Sequence, residues 1–466
     1  MTDLAALSAR GLAKAIRDKK VSSVEATKTT IEQLKACHEL TNCIITLEAD
    51  EALGAAKAAD AAIAAGTAKA PLAGVPLAHK DMFDRKGRIA SWGARIRADQ
   101  PASEDATVIA RFKAAGALQV AALHLTEFAF GPTGHNYVLG HARNPWDPTR
   151  ITGGSSAGTA TSVAYGAIPA GMGSDTGGSL RLPAAACGIT SIKPTWGRVS
   201  RAGAMPLASC LDTIGVIARH VEDLALTLGF LAGPDPRDPA ATSLPVPDYV
   251  ARLGDPIAGV RVGVDEVVIR DAHPLVQGMV EEVLGILGKL GLQRAACRFP
   301  DWQMLDHLVQ LLQMPDAAAA HNAYMRTRPN DYGPQVRARL EVGHFIAAVD
   351  HLTALRARGT YLQRTLDTTF KGLDIAILPI LADPLPTIAE LDVAGGPKLQ
   401  AAMGRVVKYT RPINYLGLPT LTLPVPRKGG LPNGIQLIGR PYSEAQLFAI
   451  GQAYQREVPP EIARPL

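Results

Sequence analysis

Two glycine-framed serine loops and one lysine stand out in this chain of 466 residues as groups that could do covalent chemistry. The first loop reads GGSSAG at 153–158, the second reads GSDTGGS at 173–179, and Lys80 closes an apolar run upstream of both. A serine hydroxyl becomes a useful nucleophile only when a base takes its proton. Consecutive glycines also let several backbone N–H groups converge on one developing negative charge. These residue types predict a hydrolase that forms a covalent intermediate.

Ser179 is the predicted nucleophile and Lys80 the predicted general base. A loop serine beside glycines is most often a turn residue, but 176–179 offers an unusual surplus of N–H donors. A lysine at a strand end is normally a solvated charge. To act as a base at pH 7 it must have its pKa lowered by about three from its usual ~10.4, which burial under apolar residues can do.

The spacing of these groups and several further motifs resemble the amidase signature family, serine amidohydrolases that use a Ser-Ser-Lys triad. Lys80 lies in GVPLAHKD, and the two serine loops follow in the family's order. Further matching motifs are SLRLPA at 179–184, KPTWGR at 193–198, LDTIG at 211–215 and GIQLIG at 434–439. The resemblance covers 60–450, with Ala157 as a small departure from the family pattern.

The resemblance implies a role for each member of the triad. Ser179 attacks the substrate, Lys80 is the base, and Ser155 passes protons between them. In the family the serine that matches Ser155 follows a cis peptide bond, here with Gly154. The family's oxyanion hole implies donors at Thr176, Gly177 and Gly178, together with the amide of Ser179 itself.

Further residues are predicted to support the site or to contact the substrate. Asp175 and Arg181 flank the nucleophile and are expected to hold its loop. The expected supporting hydroxyls and substrate contacts are Thr152, Ser156, Gly153, Gly154 and Phe128. His79 precedes the base, but adjacent strand residues point to opposite faces, so it is expected to pack elsewhere.

Three alternatives remain beside a stand-alone amidase that releases an acid and ammonia or an amine. One is an amidase-type subunit of a multiprotein amidotransferase, which needs a companion subunit. Another is an α/β-hydrolase esterase that uses Ser156, because 154–158 fits the G-x-S-x-G elbow. The turn-forming segment 143–150 argues against the strand that an elbow needs. A catalytically silent binding protein is disfavoured because Lys80, Ser155 and Ser179 are all present.

Composition limits the classes of partner. The net charge of +5 is small for this length and the basic residues are scattered, so nucleic-acid binding is not expected. His124, His135 and His141 lack metal-ligand spacing, so neither a metal nor a cofactor is expected. No apolar run approaches the ~18 residues of a membrane helix. We expect a cytoplasmic enzyme that acts on a small-molecule amide, and a homodimer is one assembly compatible with this.

The elements that must position these residues alternate between helices and short β-rich runs, which predicts an α/β fold. The resemblance implies one large domain with a central mixed, twisted sheet covered by helices on both faces. We divide the chain into an N-terminal helical segment, 1–66, packed on the core, and a catalytic domain, 67–466. Strands are predicted at 72–80, 118–123, 168–172, 260–264, 374–378 and 434–438. The apolar stretch 302–314 favours core packing over a pocket wall, and the identity of the amide is left open.

Overall fold

One large mixed sheet forms the centre of the molecule in the computed structural model, which describes residues 4–463. Its strands are β1 (Ile44–Leu47), β2 (Pro76–Lys80), β3 (Leu118–Leu123), β4 (Ala170–Asp175), β5 (Thr190–Lys193), β6 (Thr213–Ala218), β7 (Arg261–Val264), β8 (Gln293–Ala296), β9 (Ile375–Pro379), β10 (Thr420–Pro424) and β11 (Gly434–Gly439). Their order across the sheet is β1-β3-β2-β4-β6-β5-β10-β11-β9-β7-β8.

Helices connect most of these strands. They are α1 (Ala9–Arg17), α2 (Ser23–Thr41), α3 (Ala49–Ala64), α4 (Thr107–Ala114), α5 (Ala157–Ala164), α6 (Arg181–Cys187), α7 (Val221–Leu231), α8 (Glu266–Ile269), α9 (Pro274–Lys289), α10 (Trp302–Thr327), α11 (Pro334–Gly343), α12 (Ala348–Thr368), α13 (Pro397–Val407), α14 (Arg411–Leu416) and α15 (Glu444–Glu457). Across 4–463, none of them has the length and apolarity needed to span a membrane.

The sheet is mixed, as predicted. Strand β2 runs parallel to β3 and β4, and β7 runs parallel to β8 and β9, whereas the remaining pairs are antiparallel. Every residue of the central strands β2, β4, β5, β6, β9, β10 and β11 is buried. Since successive side chains of a strand point to opposite faces, both faces of the sheet are covered. This confirms the predicted α/β architecture.

The N-terminal segment contributes to the sheet as well as packing on it. A capping box is present at the start of α2: the Glu25 amide donates to the Ser22 hydroxyl at 3.0 Å, and the Ser22 amide donates to the Glu25 carboxylate at 2.8 Å. However, β1 lies inside the segment that we expected to be helical and pairs antiparallel with β3. The expectation of a purely helical segment 1–66 is therefore corrected.

The pairing of β2 with β4 sets up the site. His79 lies opposite Met172 in this parallel pair, so Lys80 ends its strand beside the residues that lead into the second serine loop. The carboxyl ends of parallel strands meet at the same edge of a sheet. Strand β4 also extends to Asp175, three residues beyond the predicted end at 172. Ser174 and Asp175 are therefore held by the ladder with β6 rather than by a free loop.

Candidate active site

Lys80 is fully buried at the end of β2 and is held by hydroxyl groups. Its Nζ donates to Ser155 Oγ at 2.7 Å and to Ser174 Oγ at 3.0 Å. It forms no ion pair with any described side chain. Burial lowers its pKa to about 7, because desolvation penalises the ammonium form. A substantial fraction of Lys80 is thus a neutral amine at pH 7, as the predicted base requires.

Ser155 is also fully buried, and its backbone conformation depends on glycine at the preceding position. The peptide bond between Gly154 and Ser155 is cis. The Gly154 amide donates to the Pro132 carbonyl at 2.7 Å. A Cβ on Gly154 would lie 2.7 Å from both Gly131 O and Thr126 Oγ1, too close for any side chain. The loop around Gly154 therefore fixes the Ser155 hydroxyl against Lys80.

Ser179 is the most accessible of the three predicted catalytic residues, with 8% of its surface exposed against none for Lys80 and Ser155. Within 4–463 its hydroxyl makes no hydrogen bond, although its carbonyl accepts from the Ser156 amide at 3.3 Å. The structure thus brings Lys80 and Ser155 into direct contact and leaves the Ser179 hydroxyl free. The hydrogen bond between Ser155 and Ser179 that a closed relay needs is not formed.

The turn that leads to Ser179 leaves three of the four expected oxyanion donors free. The Gly178 amide donates to Asp175 Oδ1 at 2.8 Å, so it is already engaged by a carboxylate. Gly178 has a φ of 130°, a conformation that suits glycine. The amides of Thr176, Gly177 and Ser179 have no acceptor among the described residues. Of the four amides expected as oxyanion donors, those of Thr176, Gly177 and Ser179 are therefore free, whereas that of Gly178 is engaged.

Asp175 and Arg181 hold this turn, as predicted. Arg181 Nε and Nη2 donate to the two Asp175 carboxylate oxygens, each at 3.0 Å, in a fully buried ion pair. Arg181 also donates to Gln436 Oε1 at 2.8 Å and to Asn414 Oδ1 at 2.5 Å. Burial alone would raise the pKa of Asp175, but the Arg181 guanidinium outweighs it and holds that pKa well below its usual range. This pair is a closed, satisfied network.

The two predicted supporting hydroxyls are buried near the triad. Thr152 Oγ1 donates to the Gly153 carbonyl at 2.7 Å, and Ser156 Oγ donates to the Ser174 carbonyl at 3.3 Å. Ser156 directly precedes α5, and the residues before it form no strand, only an isolated bridge at Arg150. The strand that a nucleophile elbow requires is missing from 143–156, which removes the structural basis for an esterase that uses Ser156.

The predicted substrate contacts Phe128 and Gly153 lie in packed surroundings. The Phe128 ring is 1% exposed and lies 4.3 Å from the His321 ring and 5.2 Å from the Tyr332 ring, centroid to centroid. A Cβ on Gly153 would lie 2.7 Å from the Leu182 carbonyl group. Their contact with substrate stays a prediction. His79 packs elsewhere, as expected, with Nδ1 2.7 Å from Gln119 Oε1.

Two polar residues beside the triad were not singled out from the sequence. Ser174 shares Lys80 with Ser155, and Asp212 accepts a hydrogen bond from the Thr176 hydroxyl at 2.6 Å. Burial raises the pKa of Asp212 to about 6. Both residues stand inside motifs that carry the family resemblance. Ser174 and Asp212 stand next to Asp175 and Thr213, which face each other across the pairing of β4 with β6.

One group of side chains that could hold a metal ion occurs away from the triad, among residues 4–463. Ligand atoms of His135, His141 and Asp392 lie within 4.8 Å of one another. Sequence spacing gave no sign of this group because Asp392 is distant in the chain. Both ring nitrogens of His135 already contact Thr133 Oγ1, at 2.8 Å, and Ile388 O, at 3.0 Å. Ligation by His135 would therefore break an existing hydrogen bond.

Comparison with known proteins gives a consistent result. The sequence profile of a family described as Amidase matches residues 25–448. The chain is 36% identical to the A subunit of glutamyl-tRNA(Gln) amidotransferase from Moorella thermoacetica, over 98% of each chain. One similar solved structure, from work on a vestigial protein complex and the evolutionary origins of an s-triazine catabolic enzyme, has a TM-score of 0.90 and 31% identity and covers 98% of this chain and all of that one. The A subunit of the same amidotransferase from Thermotoga maritima has a TM-score of 0.81 and 27% identity, over 99% of each chain.

Proposed function

This chain belongs to the amidase signature family, and on that premise we propose that it cleaves the C–N bond of a carboxylic amide through an acyl-enzyme on Ser179. The observation that carries the proposal is the 2.7 Å hydrogen bond from Lys80 Nζ to Ser155 Oγ. It joins the Lys80 amine, whose pKa is about 7, to the hydroxyl of Ser155, which is expected to pass the proton on to Lys80. A base with a pKa near the working pH is the most effective proton acceptor.

The relay operates in both directions. Neutral Lys80 takes the proton of Ser155 while Ser155 takes the proton of Ser179, whose oxygen attacks the amide carbonyl. The amides of Thr176, Gly177 and Ser179 stabilise the resulting oxyanion, each worth about 3 kcal/mol in sites of this kind. When the intermediate collapses, the proton returns through Ser155 to the departing amine. Water then hydrolyses the acyl-enzyme by the same route.

The missing hydrogen bond between Ser155 and Ser179 is compatible with this mechanism. Catalytic hydrogen bonds are often long or poorly aligned until a substrate fills the site. A rotation of the free Ser179 hydroxyl is the simplest change that closes the relay. Because Ser155 is fixed by Lys80 and by its own backbone, Ser179 is the member that moves.

The second part of the proposal concerns whether the enzyme acts alone or as one subunit of a complex. The curated relatives bear the name of an amidotransferase subunit, so they favour an amidase-type subunit of a multiprotein amidotransferase over the stand-alone amidase. In that setting the ammonia released at Ser179 passes to a companion subunit. The triad chemistry is the same in both settings.

Ser179→Ala tests the nucleophile. The variant loses the attacking atom, so ammonia release from a panel of amides is expected to fall by at least about 10⁴-fold. Wild-type protein should be labelled by a fluorophosphonate at Ser179, and the variant should not. Unchanged thermal unfolding would show that the fold is intact. A variant that keeps substantial activity would move the nucleophile to another serine.

Ammonia release, measured with and without co-purifying proteins from the native host, distinguishes a stand-alone amidase from an amidotransferase subunit. One subunit of an amidotransferase should show little ammonia release by itself and gain at least about tenfold with its companion. A stand-alone amidase should turn over at about 1 s⁻¹ or faster when purified, in the usual range for enzymes, with no gain from added proteins.

A further inference from the structure

Two histidines and one aspartate from distant parts of the chain meet at a point outside the triad. His135 and His141 stand on the segment between β3 and α5, and Asp392 follows a short 3₁₀ turn, Ala389–Leu391. One ligand atom of each lies within 4.8 Å of the others. Imidazole nitrogens with a carboxylate oxygen suit Zn²⁺ and similar divalent transition ions, whereas Mg²⁺ and Ca²⁺ prefer oxygen ligands.

His135 is buried and has one nitrogen that can serve as a ligand. Its Nε2 lies 3.0 Å from the Ile388 carbonyl, and because a carbonyl only accepts, Nε2 carries the proton. In the neutral ring Nδ1 therefore holds the lone pair, which accepts from the Thr133 hydroxyl at 2.8 Å. That hydroxyl can rotate away while the bond to Ile388 persists. Metal-bound histidines usually donate their other N–H to a backbone carbonyl in this way.

His141 also has a nitrogen that can serve as a ligand. Its Nε2 makes no hydrogen bond with any described residue, whereas its Nδ1 lies 3.0 Å from the Asn136 amide nitrogen and 3.2 Å from the Asn136 carbonyl oxygen. An ion on Nε2 selects the tautomer with the proton on Nδ1, which then donates to that carbonyl. The ring packs edge-on against Tyr137, with 4.9 Å between the centroids, and this contact orients it.

Asp392 supplies the negative charge of the cluster. One of its carboxylate oxygens accepts from the Tyr137 hydroxyl, and the other makes no hydrogen bond within 4–463. Atoms bound to one tetrahedral Zn²⁺ lie about 3.4 Å apart, so the present spacing of up to 4.8 Å must contract by about 1 Å. The Asp392 side chain is exposed and can make this movement without disturbing the core.

Both segments that carry the ligands contact the chain leading into the first serine loop. On the histidine segment, the Gly134 amide nitrogen would lie 2.8 Å from a Cβ added to Gly154. On the aspartate segment, the Ile388 amide donates to the Thr149 carbonyl at 2.8 Å. An ion that joins the two segments would therefore support residues 149–154 and would not contact the reacting groups.

We propose that His135, His141 and Asp392 bind one Zn²⁺ ion, or a similar divalent transition ion, which fastens the two segments together. Three protein ligands are one fewer than a closed structural zinc site has, so a water molecule completes the coordination. The Tyr137 hydroxyl supports the carboxylate, as the backbone carbonyls support the histidines. The site carries no step of amide hydrolysis, and it does not depend on which serine is the nucleophile.

Metal titration of the full chain tests the proposal. The protein is freed of metal with a chelator, and its accessible thiols are alkylated because the chain contains five cysteines that could compete. Calorimetry should show one Zn²⁺ or Co²⁺ ion per chain with a Kd of about 10 μM or lower. Saturating Zn²⁺ should raise the thermal unfolding temperature by at least about 2 °C. Mg²⁺ and Ca²⁺ should bind at least about a hundredfold more weakly.

Two substitutions at accessible positions assign the ligands. Asp392→Asn and His141→Gln should each weaken Zn²⁺ binding by at least about tenfold. His344→Gln removes an exposed histidine outside the cluster and should change binding by no more than about twofold. In the wild type, Zn²⁺ should protect His141 from carbethoxylation by diethyl pyrocarbonate and leave His344 reactive, which tests the site even where a variant fails to fold.

Three results would overturn the proposal. The first is binding of less than one Zn²⁺ per chain. The second is an affinity that falls equally in His344→Gln and in the two ligand variants, which would indicate adventitious binding by surface histidines only. The third is carbethoxylation of His141 at the same rate with and without Zn²⁺.

Discussion

Two lysines lie fully buried in the same sheet, Lys80 at the end of β2 and Lys193 at the end of β5. Burial lowers the pKa of each to about 7. Lys80 donates to two serine hydroxyls, whereas the hydrogen bond of Lys193 within 4–463 goes to the Pro194 carbonyl at 3.1 Å. A carbonyl has no proton to give. The contrast indicates that a depressed pKa does not identify a base, and that contact with an ionisable hydroxyl does.

Replacing each lysine by methionine gives the largest expected contrast. Lys80→Met removes the base and should lower kcat/KM for amide hydrolysis by about 10³-fold, within the usual range for general acid–base catalysis. Lys193→Met should stay within about tenfold of wild type, because Lys193 touches no reacting group. Ammonia release measures both. Equal losses in the two variants would remove the distinction between the lysines and make the role of Lys80 structural.

Substitution can also distinguish the roles of the two hydroxyls that contact Lys80, those of Ser155 and Ser174. Ser155→Ala interrupts the relay and should cost about 10²-fold or more in kcat/KM, and amides should suffer more than matched esters, because an alkoxide leaves with less help from an acid. Ser174→Ala removes only a second acceptor of Lys80 and should cost about tenfold at most. Equal losses on amides and esters for Ser155→Ala would count against proton transfer through Ser155.

The pH profile should report Lys80 and not Lys193. The neutral form of Lys80 increases as pH rises through its pKa of about 7, so the rate of amide hydrolysis should rise through this range and level off above it. At one unit below the pKa the rate should be about tenfold below the plateau. Lys193→Met should keep this profile. A flat wild-type profile between about pH 6 and 9 would exclude Lys80 as the titrating base.

The two lysines should contribute equally to the pH dependence of the free energy of unfolding, and this is the smallest expected effect. Each folded-state pKa, about 7, lies below the usual lysine value. Between those values the unfolded chain holds a proton that the folded chain lacks, so the free energy of unfolding should rise with pH by up to about 1.4 kcal/mol per unit for each lysine. Chemical denaturation from pH 7.5 to 9.5 should show a smaller slope in both methionine variants. An unchanged slope would mean that the lysine is charged when folded.

Motifs and their spacing predicted much of the site because the catalytic groups lie in short segments with unusual composition. The resemblance led us to expect Lys80 beside Ser155, and the structure brings them together. Gly178 was also expected among the oxyanion donors, but its amide donates to Asp175 in this structure. That contact depends on how Arg181 and Asn414 orient the carboxylate, and no local pattern encodes it.

The fold, like the site, was predicted where local sequence determines the structure and missed where distant contacts do. Strand β3 matches its predicted range, and β7, β9 and β11 lie within a residue of theirs. Strand β1 was missed because its four residues stand between two helices, and they form a strand only by pairing with β3.

The order of the strands also affects how the chain is made. Strand β5 pairs with β10, and the hydroxyls of Ser191 and Thr422, in contact at 2.9 Å, are 231 residues apart in the chain. At 5–20 residues per second a ribosome needs roughly 10 to 50 s to synthesise that distance. For this period the open edge of β5 can pair with other nascent chains. Synthesis as far as β10 therefore precedes protection of the β5 edge, and truncations that end before β10 should aggregate.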